Sequence, residues 1–171
     1  MLTGMEYEAN EDGWAAWVDA HADKLLLFAR QQTSSEADAQ DVVQEAVVEA
    51  YRRCAGGSLP PLPLVFATIR RRAIDLARKE DRRHQRETAV GDLAATEWFD
   101  RSMEDREMSQ SIQCALQQIP AEQREVITLR VWGGLTFAEI AHALGLSVNT
   151  AASRYRYGLD TLRKLTRGVL L

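Results

Sequence analysis

The sequence predicts an all-α protein made of two small helical domains joined by an acidic, flexible linker. Apolar residues recur at every third or fourth position along most of the 171-residue chain, as on the buried side of a helix. Only four prolines and ten glycines interrupt this pattern, fewer than the many turns of a strand-rich sandwich need. We place the N-terminal domain at residues 1–86, the linker at 87–108 and the C-terminal domain at 109–171.

The first two helices are predicted from their apolar spacing. One runs from about Gly13 to Gln32 and ends before the Thr33–Ser35 segment. The next has a buried side of small and branched residues: Ala39, Val42, Val43, Ala46, Val47 and Ala50. Asp41, Gln44 and Glu45 fall on its opposite side. By pattern alone, that side is an ordinary solvated helix face.

A loop and a basic helix complete the predicted N-terminal domain. Residues 54–63 hold paired glycines and three prolines, which cannot continue a helix. A helix from about Leu64 to Arg83 then has Thr68 and Arg71 on its outward line, and Asp75 is spaced to pair with Arg71. The surplus of cations is larger than such pairing requires. They are Arg70, Arg71, Arg72, Arg78, Lys79, Arg82, Arg83 and Arg86.

The linker and the start of the C-terminal domain differ in pattern. Residues 87–108 are rich in acidic groups and lack sustained periodicity, with a helical turn predicted around Trp98. A helix that contains Ile112 and Leu116 follows and is ended by Pro120. The next helix stops at the paired glycines 133 and 134.

Residues 136–165 predict two helices joined by a tight turn. Thr136 with Glu139 three residues on forms a capping box, and Gly145 suits the left-handed residue that closes the helix. Ser147 then caps the second helix. The buried stripe of that helix is predicted to be Val148, Ala151, Tyr155, Leu159 and Leu162. This pattern predicts a helix-turn-helix, whose second helix enters the major groove of DNA.

Polar residues of the second helix are candidates for DNA contact. Off the buried stripe lie short hydrogen-bonding side chains and guanidinium groups, which suit base edges and phosphates. They are Asn149, Thr150, Ser153, Arg154 and Arg156. The alternative is a structural helical hairpin with a solvated polar face.

The charge distribution favours two nucleic-acid contacts inside an acidic protein. The net charge is −4, yet residues 1–50 hold only Lys24 and Arg30 as cations, and the basic residues concentrate in two later segments. Cys54 and Cys114 lack the spacing of a metal site, so we expect no metal or cofactor and a reducing cytoplasm. No apolar run approaches the roughly 20 residues of a membrane span, and the start lacks a signal pattern, so we expect no membrane insertion.

Four segments resemble the bacterial sigma factors. Residues 36–46, E-A-D-A-Q-D-V-V-Q-E-A, are similar to the D-A-E-D-L-V-Q-E signature of that family. Residues 66–75, F-A-T-I-R-R-R-A-I-D, resemble the promoter-melting segment that follows it. Residues 116–135 and 139–154 resemble the C-terminal sigma domain. The order of the segments, with no room for other sigma domains, resembles the extracytoplasmic-function (ECF) group.

This resemblance implies partners and site residues. Core RNA polymerase and promoter DNA are the implied partners, an anti-sigma factor is left open as a third, and we expect a monomer when free and no enzymatic activity. Asp41, Gln44 and Glu45 would face the polymerase clamp helices, which replaces the solvated-face interpretation. The −10 element would meet Gly56, Gly57, Ser58, Arg70, Arg71, Arg72, Arg78, Lys79 and Arg82. The −35 element would meet Asn149, Thr150, Ser153, Arg154 and Arg156.

The sequence also departs from the family. Arg71 stands where Asn is usual, Ala151 where Val is common, Ala152 where a basic residue is common, and Leu64 where Trp is frequent. A promoter sequence therefore does not follow from the resemblance.

Two other classes of function compete with the sigma factor. A helix-turn-helix regulator that does not join polymerase would dimerise and bind a palindromic site. An enzyme would have to use the carboxylates of the second helix, but the sequence has no metal-ligand spacing, phosphate loop or nucleophile elbow.

Overall fold

The structure is a computed structural model that describes residues 3–54, 58–84, 97–99 and 106–166. Within those ranges the chain forms seven α-helices and no strand, which confirms the all-α prediction. They are α1 (Thr3–Gln32), α2 (Glu36–Arg53), α3 (Leu62–His84), α4 (Arg106–Gln117), α5 (Ala121–Val131), α6 (Phe137–Leu144) and α7 (Val148–Thr166). The chain divides into two compact units, Met1–Thr96 and Glu97–Leu171.

The first unit is a three-helix core in which α1, α2 and α3 each contact the other two. Leu25, Phe28, Phe66 and Ile69 are buried, and the rings of Phe28 and Phe66 meet edge to face at 5.3 Å. The buried side of α2 is made of Val42 and three alanines, whereas Val43 and Val47, also predicted to be buried, are half-buried. Such small side chains let α1 and α3 approach the α2 backbone closely.

Both outer helices of this unit begin earlier than predicted. α1 starts at Thr3 instead of Gly13, because Glu, Ala and Met favour a helix even where apolar periodicity is missing. α3 starts at Leu62 instead of Leu64. Pro63 then lies in the first turn, where a missing N–H breaks no helical hydrogen bond.

The predicted outward line of α3 contains one error. Thr68 is buried, and its hydroxyl donates a hydrogen bond to the Leu64 carbonyl at 2.9 Å. This bond to the preceding turn satisfies the polar atom, so threonine is tolerated inside the core.

In the second unit, α5 is the central helix and contacts α4, α6 and α7. Five consecutive residues, 125–129, are buried, which shows that α5 is surrounded on most sides. A helix buried all round lacks the one-sided pattern of a surface helix. Helix α7 is therefore supported directly by α5, whose residues 125–129 are all buried.

The predicted helix-turn-helix is confirmed in detail. Thr136 Oγ1 accepts a hydrogen bond from the Glu139 backbone N–H at 3.2 Å, and Glu139 Oε2 accepts one from the Thr136 N–H at 2.7 Å. The hydrogen bonds that the Thr136 N–H and the Thr136 hydroxyl donate to the Glu139 carboxylate lower the pKa of Glu139. Gly145 adopts φ 68° and ψ 41°, and Ser147 Oγ accepts the N–H of Thr150 at 3.0 Å.

Val148 does not join the buried stripe predicted for α7. Its side chain is 49% exposed, whereas Ala151 is fully buried and Tyr155, Leu159 and Leu162 are half-buried. Val148 is the first residue of the helix, ahead of the turn at which α7 first packs into the unit. Helical periodicity predicts which side of α7 a residue faces. It does not predict whether a neighbouring helix covers that side at the N-terminal end of α7.

The middle of the predicted linker packs against helices of the second unit. Residues 97–99 are not helical, so the helical turn predicted around Trp98 is wrong. Trp98 is buried, its backbone N–H donates to Gln113 Oε1 at 2.9 Å, and the Arg124 guanidinium lies 5.1 Å from its ring centre. Most of the linker lies outside the described residues, and the proposed domain bounds stay a prediction.

Candidate functional site

The first candidate surface is the outer face of α2. Asp41, Gln44 and Glu45 are exposed, and they lie three and four residues apart on the side opposite Val42 and Ala46. The structure therefore brings together the three side chains that the sequence singles out. An exposed patch with two carboxylates can bind a basic partner surface.

Carboxylates of α2 also reach the arginines of α3. Arg72 donates to Glu45 through Nη1 and to Glu49 through Nη2, the second at 2.7 Å. Arg71 Nη2 contacts both Glu49 oxygens, at 2.8 and 2.9 Å. Arg53 binds the same carboxylate at 2.6 Å. We call Glu45, Glu49, Arg53, Arg71 and Arg72 the α2–α3 ion network.

Glu49 is the centre of this network, with its side chain only 18% exposed. Its burial alone would raise the pKa, but hydrogen bonds from Arg72 and Arg71 and the charge of Arg53 outweigh burial and lower the pKa of Glu49. The hydrogen bond from Arg72 to Glu49 likewise raises the pKa of Arg72 above its ordinary value, against the effect of burial. Glu49 and Arg72 therefore stay charged near neutral pH.

The candidate −10 residues fall into groups with different surroundings. Ser58, Arg78, Lys79 and Arg82 are exposed. Within α3, Arg78 lies 3.8 Å from Asp75, and Arg82 Nε donates to the Arg78 carbonyl at 3.0 Å. Arg71 and Arg72 belong to the ion network, and Arg70 is half-buried. Gly56 and Gly57 lie outside the described residues. The exposed C-terminal half of α3 is therefore the part most accessible to phosphates.

The candidate −35 residues of α7 are likewise divided. Asn149 and Arg156 are exposed and Ser153 half-buried on one side of the helix. The hydroxyl of Thr150 lies 2.8 Å from that of Ser147, at the start of α7. Arg154 is 24% exposed and binds Glu122 of α5 at 2.8 Å. Arg154 thus also links α7 to α5, and Thr150 contacts the residue that caps α7.

Tyr157 was missed by the sequence reasoning. It is 55% exposed on α7, and the Arg156 guanidinium lies 5.1 Å from its ring centre. It also lies one helical turn after Ser153, so continuing the line from Asn149 and Ser153 would have found it. An exposed tyrosine next to an arginine restricts where that guanidinium points.

Other kinds of site were sought in the described part of the chain. There, no group of three His, Cys, Asp or Glu residues could hold a metal ion. Of the helices described, none is both long and apolar enough to cross a membrane.

Comparison with known proteins places family domains on both units. Sigma-70 region 2 matches residues 17–83, and sigma-70 region 4 matches residues 109–162. The first match ends within α3, and the second includes α5 and α6 and ends within α7. Each candidate surface therefore lies inside a matched region.

Individual relatives and solved structures agree with these matches. The ECF RNA polymerase sigma factor SigL of Mycobacterium tuberculosis (strain H37Rv) is 30% identical over 155 residues, which cover 86% of this chain and 85% of that protein. The RNA polymerase sigma-E factor of Streptomyces avermitilis is 30% identical over 86% of this chain and 82% of its own length. The sigma factor RpoE of Bartonella quintana, solved with the anti-sigma factor NepR, shares the fold with a TM-score of 0.73 at 22% identity, over 91% of this chain and 97% of that one. The chain belongs to the ECF sigma factors of RNA polymerase.

Proposed function

We propose that this chain joins core RNA polymerase through the outer face of α2 and then directs it to promoters. The observation that carries this assignment is the exposed set Asp41, Gln44 and Glu45 within the region 2 match. Two carboxylates and an amide one turn apart can pair with basic residues of a helical partner and orient it. The factor is not an enzyme, and it acts in the cytoplasm as a monomer before it meets polymerase.

We assign the −10 element to the first unit. Arg78, Lys79 and Arg82 lie exposed along the C-terminal half of α3, where a cationic row can follow a separated strand. Ser58 is exposed in the segment that precedes α3, and Gly56 and Gly57 adjoin it in the chain. This segment is our proposed site for a base flipped out of the stack.

We assign the −35 element to α7. Asn149 and Ser153, near its N-terminal end, are the proposed base readers, since that part of a recognition helix contacts base edges. Arg156, placed against Tyr157, and Arg154, placed against Glu122, are the proposed phosphate contacts. Thr150 adds a hydroxyl at the helix start.

An anti-sigma factor is the remaining proposed partner. RpoE was solved with the anti-sigma factor NepR, and CnrH, whose structure has a TM-score of 0.65 to this chain at 23% identity, was solved with the cytosolic domain of CnrY. A protein that covers the α2 face would compete with polymerase for the same carboxylates.

Reconstitution with core polymerase tests the function as a whole. We expect the chain to co-elute with core enzyme and to support run-off transcription from a subset of a promoter library. A regulator that does not join polymerase would leave core enzyme unbound and would select a palindromic site from the same library. That result would overturn the proposal.

Replacing Arg154 should weaken DNA binding without changing the preferred sequence. A phosphate contact contributes equally at every site, so Arg154→Ala should lower affinity about uniformly and reduce the slope of log affinity against log salt by about one. Binding to −35 duplexes at several salt concentrations measures both quantities.

Glu122→Gln is the matched control, because it breaks the same ion pair from the other side. If Arg154 contacts phosphate, the Glu122 variant keeps that cation and its salt slope does not fall. If Arg154 only holds α7 on α5, both variants should lose similar stability and neither should reduce the slope. The second outcome would remove Arg154 from the DNA-binding set.

A further inference from the structure

Two aromatic residues attach the chain to the second unit before α4 begins. Trp98 is only 7% exposed, and its backbone N–H donates to Oε1 of Gln113 on α4 at 2.9 Å. The guanidinium of Arg124 on α5 lies over its ring, 5.1 Å from the ring centre. The Phe99 ring lies 5.6 Å from that of Trp132, the residue that ends α5. We call Trp98 and Phe99 the aromatic anchor.

The aromatic anchor combines three kinds of contact on neighbouring residues. The hydrogen bond from the Trp98 N–H fixes the path of the backbone as well as the side chain. A cation over an indole ring and two aromatic rings in contact are both favourable where water is excluded. In the sequence from 85 to 105, Trp98 and Phe99 are also the only aromatic residues. The chain is therefore attached at one defined point.

This attachment shortens the tether, by which we mean the chain between the end of α3 and the next fixed residue. α3 ends at His84 and α4 begins at Arg106. An extended chain advances at most about 3.5 Å per residue, so residues 84–106 could span about 75 Å. With Trp98 fixed, residues 84–98 can span only about 50 Å. The aromatic anchor thus removes about 25 Å of reach from the tether.

We propose that the aromatic anchor determines which spacing between promoter elements this factor accepts. The inference rests on the proposed assignment of the −10 element to the first unit and the −35 element to the second. Elements about 25 base pairs apart are separated by about 85 Å of duplex, at 3.4 Å per base pair. A spacer longer by about three base pairs adds about 10 Å. A tether of about 50 Å has little length to spare for this addition, whereas one of about 75 Å can supply it.

Loss of the aromatic anchor should change promoter use in opposite directions at short and long spacings. Once a tether can reach both sites, effective concentration falls about as the −3/2 power of its length. Lengthening the tether from about 14 to about 22 residues therefore lowers it about two-fold at the preferred spacing. Beyond the reach of the anchored chain, effective concentration is near zero, so the longer tether gives a gain there.

The test is run-off transcription by the holoenzyme on the promoter that the parent chain selects from the library. Its spacer is kept or lengthened by about three base pairs, which is about 10 Å. The anchor variant carries Trp98→Ala and Phe99→Ala. Relative to the parent chain, we expect about two-fold less transcript at the original spacing and at least about five-fold more at the longer one.

Variants of tether length separate reach from folding. Inserting about nine Gly and Ser residues after Ala94 lengthens the tether and leaves the aromatic anchor in place, so this variant should show the same reversal. Deleting residues 87–95 from the anchor variant should restore the preference of the parent chain. Gln113→Leu removes only the hydrogen bond to the Trp98 backbone and should give a smaller change of the same sign. The test therefore does not depend on the stability of the alanine variant alone.

The proposal is overturned if the anchor variant loses transcript equally at both spacings, since Trp98 and Phe99 would then only stabilise the second unit. It is also overturned if the insertion leaves the spacing preference unchanged, because tether length would then not limit promoter use. Circular dichroism checks the helical content of every variant. Transcription by the parent chain at its own spacing tests the proposed function separately, so failure of that function and failure of the anchor are distinguishable.

Discussion

Reversing the charge of both Asp41 and Glu45 is expected to abolish assembly with core RNA polymerase. In the Asp41→Arg, Glu45→Arg variant, two cations would meet a basic partner surface where two carboxylates stood. Placing like charges together across an interface costs several kcal/mol. Since about 1.4 kcal/mol is a tenfold change in affinity, we expect a loss of at least about 100-fold. Co-elution of the variant with core enzyme measures it.

The matched control is Asp19→Arg with Asp23→Arg on α1. These two residues are also exposed and four positions apart, so the net charge and helical spacing change equally. This control should bind core polymerase like the parent chain. Helical content must stay unchanged in both variants, because Glu45 also contacts Arg72. Retained binding by the Asp41 and Glu45 variant would show that α2 does not form the interface.

The features predicted best depend on residues close in sequence. Thr136 and Glu139 cap the same turn, and Gly145 ends the same helix in the left-handed conformation. Backbone geometry within one turn determines such contacts, so residue types at fixed spacing suffice to predict them. The exposed face of α2 was predictable for a similar reason, since its buried side has a regular helical period.

Contacts between helices were not predictable in this way. The sequence suggested that Arg71 pairs with Asp75 within α3, but Arg71 binds Glu49, 22 residues earlier in the chain. Arg154 similarly binds Glu122 of another helix. To predict such an ion pair, one must know where the two helices cross. That position is determined by side-chain packing between the helices and not by the periodicity of either sequence. As a result, the sequence indicated several arginines as DNA-binding candidates but did not show which of them form ion pairs with glutamates of other helices.

The assignment of residues 97–99 to the linker shows the same limit. Their neighbours are polar and acidic, so composition favours an unpacked segment. Trp98 nevertheless packs against Arg124, and Phe99 lies 5.6 Å from Trp132. Two large aromatic residues in an otherwise polar stretch were the available signal that the segment packs on a folded surface.

Replacing Gly158 with valine is expected to destabilise the second unit strongly and to abolish −35 binding. Gly158 is buried in α7, and a Cβ atom built there would lie 2.6 Å from Ile127 Cδ1 and 3.3 Å from the Gln123 Cβ. Ile127 is itself buried in the core of α5, so it has little room to move. We expect a cost of about 3 kcal/mol, at the upper end of overpacking effects. For a unit of this size, that cost lowers the melting temperature by about 12–24 °C.

Gly13→Val makes the same side-chain change in α1, where a Cβ would meet no atom within 4 Å. This control should leave the melting temperature of its own unit nearly unchanged. A second test uses the smaller variant Gly158→Ala together with Ile127→Val, which removes the Cδ1 atom that the new Cβ would meet. Ile127→Val alone should cost about 1 kcal/mol through the cavity that it leaves. In the Gly158→Ala background it should cost clearly less, because the new methyl group occupies that space. Equal costs in both backgrounds would show that α5 and α7 do not meet at Gly158 as described.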